Sequence, residues 1–180
     1  PKVLINYPRP LMRVDSVVWD VYDAVCQAVD LLERKGHRRI LYIGDITQQP
    51  GYIQRWQAYR QMMLSIGESP QQITKFDLKE AYDQYRPTAI LVGVDEDRKD
   101  VIQTLDELGV RIPDDCSLVA LLNEPLQSHP MISRPVLMIK ETGYQAADKM
   151  LWRIAHPNQP YEHTRIMGSL YEGETVARVD

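Results

Sequence analysis

Two kinds of apolar stretch alternate along this chain, and their order predicts its architecture. Between Asp20 and Asp45, residues Val21, Val25, Ala28, Val29 and Leu32 recur at three- and four-residue steps, which sets them on one face of a helix. Gly36 stands where a left-handed residue would stop that helix, and Arg34, Lys35 and His37 suit its negative end. Ile40 to Ile43 follows as a run that is apolar throughout, the pattern of a strand buried on both faces of a parallel sheet. The unit then repeats. Tyr52 to Ser65 keeps helical spacing through Ile53, Trp56, Tyr59 and Met63, with Gly67 as its stop. Leu78 to Tyr85 and Asp97 to Leu108 predict two more helices, the second capped by Asp97. Ala89 to Val92 and Ser117 to Leu122 predict buried strands, and Ile73 to Phe76 an edge strand. Repeated helix–strand units with glycine turns imply an α/β fold, a parallel sheet with helices on both faces.

The flanks are less regular. Pro1 to Asn6 reads as a short strand, and Ser16 to Trp19 leads extended into the first helix. The polar, proline-containing segment Asn123 to Ser133 suits a crossover between lobes. Val136 to Ile139 predicts another strand, and Glu141 to Ile154 a helix with Tyr144, Ala147, Leu151 and Ile154 on one side. Thr164 to Tyr171 reads as a last strand.

Composition narrows the function classes. The chain of 180 residues is 44% hydrophobic and 26% charged, ordinary for a soluble globular domain. No apolar run approaches the ~18 residues of a membrane span, and no basic region followed by an apolar core marks export. The first residue is Pro1 rather than Met, so a piece of a longer protein is expected. A net charge of −4 offers no broad basic surface for nucleic acid. Cys26 and Cys116 show no CxxC spacing and read as free thiols in a reducing cytoplasm. His37, His129, His156 and His163 are scattered without metal-ligand spacing, and Asp95-Glu96-Asp97 reads as a helix start rather than an ion site. No nucleophile elbow, phosphate loop or dinucleotide fingerprint is present. The expectation is therefore binding without catalysis, with no cofactor and no metal.

Several motifs point to one family. Asp20, Ala28, Leu32 and Gly36-His37-Arg38-Arg39-Ile40 match a run found in the bacterial sugar-responsive regulators related to the lactose and galactose repressors (LacI/GalR). PKVLIN at the start resembles the strand before a lobe crossover in that family, and Arg55-Trp56-Gln57-Ala58-Tyr59 its R-x-x-G-aromatic helix start, with Ala58 in place of glycine. Pro87-Thr88-Ala89-Ile90 with Asp95 resembles P-T-A-I…N-D, with Val94 in place of asparagine. Gly109 to Asp115 with Ser117-Leu118-Val119 is close to G-x-x-I-P-x-D-x-S-V-V, and Pro135 to Ile139 resembles P-x-L-T-T-I. The departures are Leu122-Asn123, where an acidic pair is usual, and Gly173 in the terminal L-x-x-R-x-S/T pattern.

The resemblance implies a periplasmic-binding-protein-like type I effector module, with one nearly complete lobe and a remnant of a second. Residues 17–123 and 168–177 would form the C-terminal lobe, and 1–15 with 126–165 the remnant of the N-terminal lobe. It implies a small-molecule effector, a sugar or derivative, bound between lobes. It also implies a homodimer, operator DNA contacted only through a head domain outside these residues, and no membrane. An extracytoplasmic sugar-binding protein of a transporter is the alternative that shares the fold.

Arg55 and Asp95 are the first ligand candidates. The family positions they match contact effector, and ligands in open parallel sheets sit beyond the carboxyl ends of strands. An arginine fork and a carboxylate bracket sugar hydroxyls or an acid group by strong directional hydrogen bonds; the bland reading is an exposed ion pair. Asp45, at another strand end, and Trp19 and Asn123, beside the expected crossovers, are second candidates, with hinge packing the alternative for Trp19. Met62, Met63, Trp56 and Tyr59 read as core before surface.

Overall fold

A computed structural model describes residues 1–179. Its core is a four-stranded parallel sheet ordered β4-β3-β5-β6, from Gln71–Ile73, Ile40–Ile43, Ala89–Val92 and Ser117–Ala120. Strands β3, β5 and β6 are buried at every position, which their unbroken apolar sequence requires. Side chains of successive residues leave opposite faces. Ile40, Tyr42, Ala89 and Leu91 meet α1 (Val21–Arg34) and α2 (Pro50–Ser65) on one side. Leu41, Ile43, Ile90 and Val92 meet α3 (Leu78–Tyr85) and α4 (Arg98–Glu107) on the other.

Helix α1 is delimited as its sequence demands. The Asp20 carboxylate accepts the amides of Tyr22 and Asp23 at 3.0 and 3.2 Å, and Gly36 takes a φ of +93° just past the end.

A second, smaller parallel sheet joins β1 (Val3–Leu4), β2 (Asp15–Trp19) and β8 (His163–Ile166), with β2 in the middle. Helix α5 (Ile139–Ala155) covers one side of it, held by a buried ion pair: Arg153 donates to both oxygens of Asp15, at 2.6 and 2.9 Å. The two sheets are linked at three places, Trp19–Asp20, Val136–Met138 and Met167–Ser169. The links are bonded to one another and to the elements beside them, with Val136 N donating to Ser169 O (2.8 Å), Asp20 N to Ile166 O of β8 (2.8 Å) and Gln27 Nε2 of α1 to Gly168 O (3.0 Å). Gly168 is required there, since a Cβ would fall 1.8 Å from Val136 O.

Several expectations are corrected. The edge strand lies two residues earlier, at Gln71–Ile73, and Lys75–Asp77 forms a 3-10 turn instead. Asp97 makes no capping hydrogen bond; its carboxylate lies 3.3 Å from Lys75 Nζ. Asn123 to Ser133 does not cross between lobes but loops out and returns to β6, where Ser133 bridges Val119. The strand expected at Val136 to Ile139 is only the link, and the paired residues are Arg134–Pro135 (β7). The single last strand is two, β8 in the small sheet and β9 (Leu170–Tyr171) antiparallel to β7. The expected lobe boundary at residue 17 falls inside β2, all of which belongs to the small sheet. On α5, Tyr144, Leu151 and Ile154 face outward, while Thr142, Ala146 and Arg153 are buried.

Among the described residues, no helix is long and apolar enough to cross a membrane.

Candidate functional site at the carboxyl edge of the larger sheet

Four parallel strands point their carboxyl ends at one edge, and the loops leaving them gather polar residues there. The α2 segment that carries Arg55 approaches the exit of β5. Arg55 Nη1 donates to Gly93 O, its guanidinium lies 5.2 Å from the Tyr52 ring centre, and Nε meets no acceptor although the residue is 6% exposed. Burial pulls this guanidinium below its ordinary pKa, opposed by the nearby Tyr42, Tyr52 and Glu96. Beneath it the Tyr42 hydroxyl is also buried without a partner, and burial raises it. Tyr42 is fixed by Tyr59 and Trp56, with ring centres 5.2 and 6.0 Å away, and by Gly93, where a Cβ would meet the Tyr42 hydroxyl at 2.1 Å. Trp56, Tyr59 and Met63 are thus core or core-flanking residues.

Asp95 stands one loop further along the edge. Its Oδ2 accepts the Asn123 amide at 2.9 Å, so it ties the β5 exit to the β6 exit, and its Oδ1 is 3.6 Å from Arg98 Nε. Asn123 itself is exposed. Asp45 is on the edge, but its carboxylate is engaged by its own loop, through the Thr47 amide (2.6 Å), the Thr47 hydroxyl (2.9 Å) and the Gln48 amide (3.2 Å). Those bonds, the Thr47 amide first, hold it below the usual carboxylate range. Trp19 lies at the first link, half-buried with Leu137 against Tyr7, Val18 and Val21, the hinge-packing alternative.

The edge thus brings Asp95 and Asn123 into contact and sets Arg55 on the same rim. Trp19 lies at the first link instead. Two residues not singled out in the sequence also belong here. Arg98 and Arg134 are 4% and 2% exposed. Arg98 falls three residues before Val101 and seven before Leu105, on the buried stripe of α4, and that spacing is the signal that could have found it. Arg134 follows the buried Ile132 and Ser133 into β7, for which no periodic pattern exists.

Comparison with known proteins places this geometry. Residues 29–176 match the periplasmic binding protein-like domain family. The HTH-type transcriptional regulator PtxS of Pseudomonas putida is 28% identical over 170 residues, covering 86% of this chain and 49% of that protein. The HTH-type transcriptional regulator DegA of Bacillus subtilis is 29% identical over 156 residues, covering 79% and 46%. The chain therefore spans about half the length of the curated relatives it matches. Among solved structures, a LacI family transcriptional regulator from Enterococcus faecium with bound ribose superposes with a TM-score of 0.84 at 17% identity, over 99% of this chain and 71% of that one. The transcriptional regulator CelR in complex with cellobiose does so with a TM-score of 0.85 at 20% identity, over 97% and 58%. The chain belongs to the periplasmic binding protein-like domain family, with the fold found in LacI-family transcriptional regulators.

Proposed function

We propose that this chain is the effector-sensing part of a LacI-type transcriptional regulator and that it binds a sugar or sugar derivative without transforming it. The observation that carries this reading is the carboxyl edge of β3, β5 and β6. There a buried arginine with a free Nε, a buried unpartnered phenol beside it and a carboxylate-tied loop gather at the strand exits. Arg55 is the leading contact. Asp95 holds Asn123 in place beside it, Asp45 shapes its loop, and Trp19 steadies the hinge. Ribose and cellobiose in neighbouring structures support a sugar as the ligand class.

Signalling would be a change of angle between the two lobes about the links at Trp19–Asp20, Val136–Met138 and Met167–Ser169. The effector would favour one of two lobe arrangements, and a dimer in the cytoplasm would pass that preference to a DNA-reading head. The test is a thermal melt of the protein against neutral sugars, ribose and cellobiose included, and against acidic ones, sugar acids and sugar phosphates included. A ligand at 100 times its dissociation constant contributes about 2.7 kcal/mol and raises the midpoint; Arg55→Ala abolishes the rise. A flat response to every sugar overturns the reading.

A further inference from the structure

Arg98 and Arg134 form a cluster of charge on this edge that neither the fold nor the contacts above explain. Arg98 opens α4, and Arg134 follows Ser133, which bridges β6, immediately before the link to the smaller lobe; two unrelated elements thus place them within electrostatic reach of one carboxylate. That carboxylate, Asp95, already accepts the Asn123 amide, and its other oxygen lies 3.6 Å from Arg98 Nε, an ion pair without a hydrogen bond. Glu124 is within electrostatic reach of Arg134, but it is exposed and is 2.8 Å from His129 Nε2. Arg98 Nε and Arg134 Nη1 consequently end in the interior with no acceptor.

Two buried cations around one partly buried carboxylate leave positive charge uncompensated, a costly arrangement that an apolar pair of similar volume would avoid. Both guanidiniums offer flat forks of donors, the shape that matches the paired oxygens of a carboxylate or phosphate.

We propose that Arg98 and Arg134 are an oxyanion subsite, and that the effector carries an acidic group, a carboxylate or phosphate, seated between them. This rests on the reading of the same edge as the effector site. The hydroxyls of a neutral sugar can accept from the orphaned nitrogens but leave the positive charge uncompensated; an acidic one supplies both acceptors and the missing negative charge.

Both arginines and Asp95 lie within this chain, so the chain itself serves for the test. Its melting midpoint is followed in potassium phosphate, in potassium gluconate and in glucose, each against potassium chloride at matched ionic strength. The expected result is a saturable rise with gluconate or with phosphate, whichever group the site takes, and a smaller rise or none with glucose. Arg98→Met and Arg134→Met each weaken that response at least tenfold, while the unliganded midpoint stays at or above that of the parent. Arg134→Lys, which keeps the charge and loses the fork, weakens it in part. If a neutral sugar stabilises the chain and neither anion exceeds chloride, the subsite falls and the proposed function stands. If neither anion stabilises it and the wider sugar panel is silent too, both fall. An anion response that survives in both methionine variants, or variants that melt low with the response intact, assigns the arginines to structure and overturns the subsite. Should a methionine variant fail to fold, the parent titration against chloride and the lysine variant still decide.

Discussion

His37 shows how much one buried residue determines here. It is 1% exposed, with Nε2 3.0 Å from Ala177 O and Nδ1 3.1 Å from Thr88 Oγ1. A carbonyl only accepts, so Nε2 carries the proton and Nδ1 is free to accept from the Thr88 hydroxyl. The ring thereby fastens the C-terminal tail to the turn after α1 and to the start of β5. Burial lowers its pKa, with the Ala177 bond opposing. The folded chain thus binds this proton less readily than the unfolded chain. The stability from neutral His37 is complete above its ordinary value of 6.5 and is lost as pH falls from there through the lowered value. Urea midpoints at about pH 7.5 and about pH 5 should fall more steeply in the parent than in His37→Gln, whose amide can still donate to Ala177 O. Equal slopes would remove His37 from the account. Sequence alone placed His37 at a helix end but could not assign it the tail, 140 residues away; its partners are set by long-range packing. Arg98 was legible in principle from its place on an apolar stripe, whereas Arg134 was not.

At the scale of elements, the tail after β9 acts as a strap across the amino-terminal side of β6. Leu118 N donates to Thr175 O (2.7 Å), Thr175 Oγ1 donates to Leu118 O (2.6 Å) and accepts from Ser133 N (2.9 Å), and Val179 N donates to Lys35 O (2.8 Å). Thr175→Val keeps the shape and removes the hydroxyl, leaving Ser133 N and Leu118 O short of a partner. The expected loss is roughly 1–3 kcal/mol in equilibrium urea unfolding; a loss within about 0.5 kcal/mol would mean that water replaces the hydroxyl. The elements themselves divide by how local their causes are. Strands β3 and β5 and helix α3 were legible to the residue, because a fully buried strand is apolar throughout and glycine or proline closes each unit. Strand β8 alternates exposed and half-buried positions, and its pairing with β2 joins residues well over a hundred apart. It was therefore read as one run with β9. Asp97 stands at the N-cap position of α4 but makes no capping bond for a similar reason, since Lys75, from another element, takes its carboxylate.

For the whole molecule, the two sheets differ in how well they are buried, and that difference decides which moves first. The larger sheet has helices on both faces, and its strands β3, β5 and β6 are closed to solvent throughout. In the smaller sheet only the central β2 is well buried. Strands β1 and β8 are half-exposed, each pairs with β2 alone, and the outward face of α5 leaves Leu151 and Ile154 at 67% and 59% exposure. Local opening free energy follows such differences in burial. Amide hydrogen exchange at neutral pH should therefore protect β3, β5 and β6 to the level of global unfolding, while β1 and β8 exchange through a separate, easier opening. The Asp15–Arg153 pair is the exception inside the smaller sheet. It ties α5 to β2, and Arg153 also donates to the carbonyls of Gln159 and Pro160 just before β8, at 2.6 and 2.8 Å. Arg153→Met should speed exchange in β8 and α5 and leave β3, β5 and β6 unchanged. Uniform acceleration across both sheets would instead mean that the lobes unfold as one unit. In that case a lobe angle set by effector could not be a soft coordinate of this chain, because the three links would transmit every loss of structure from one lobe to the other.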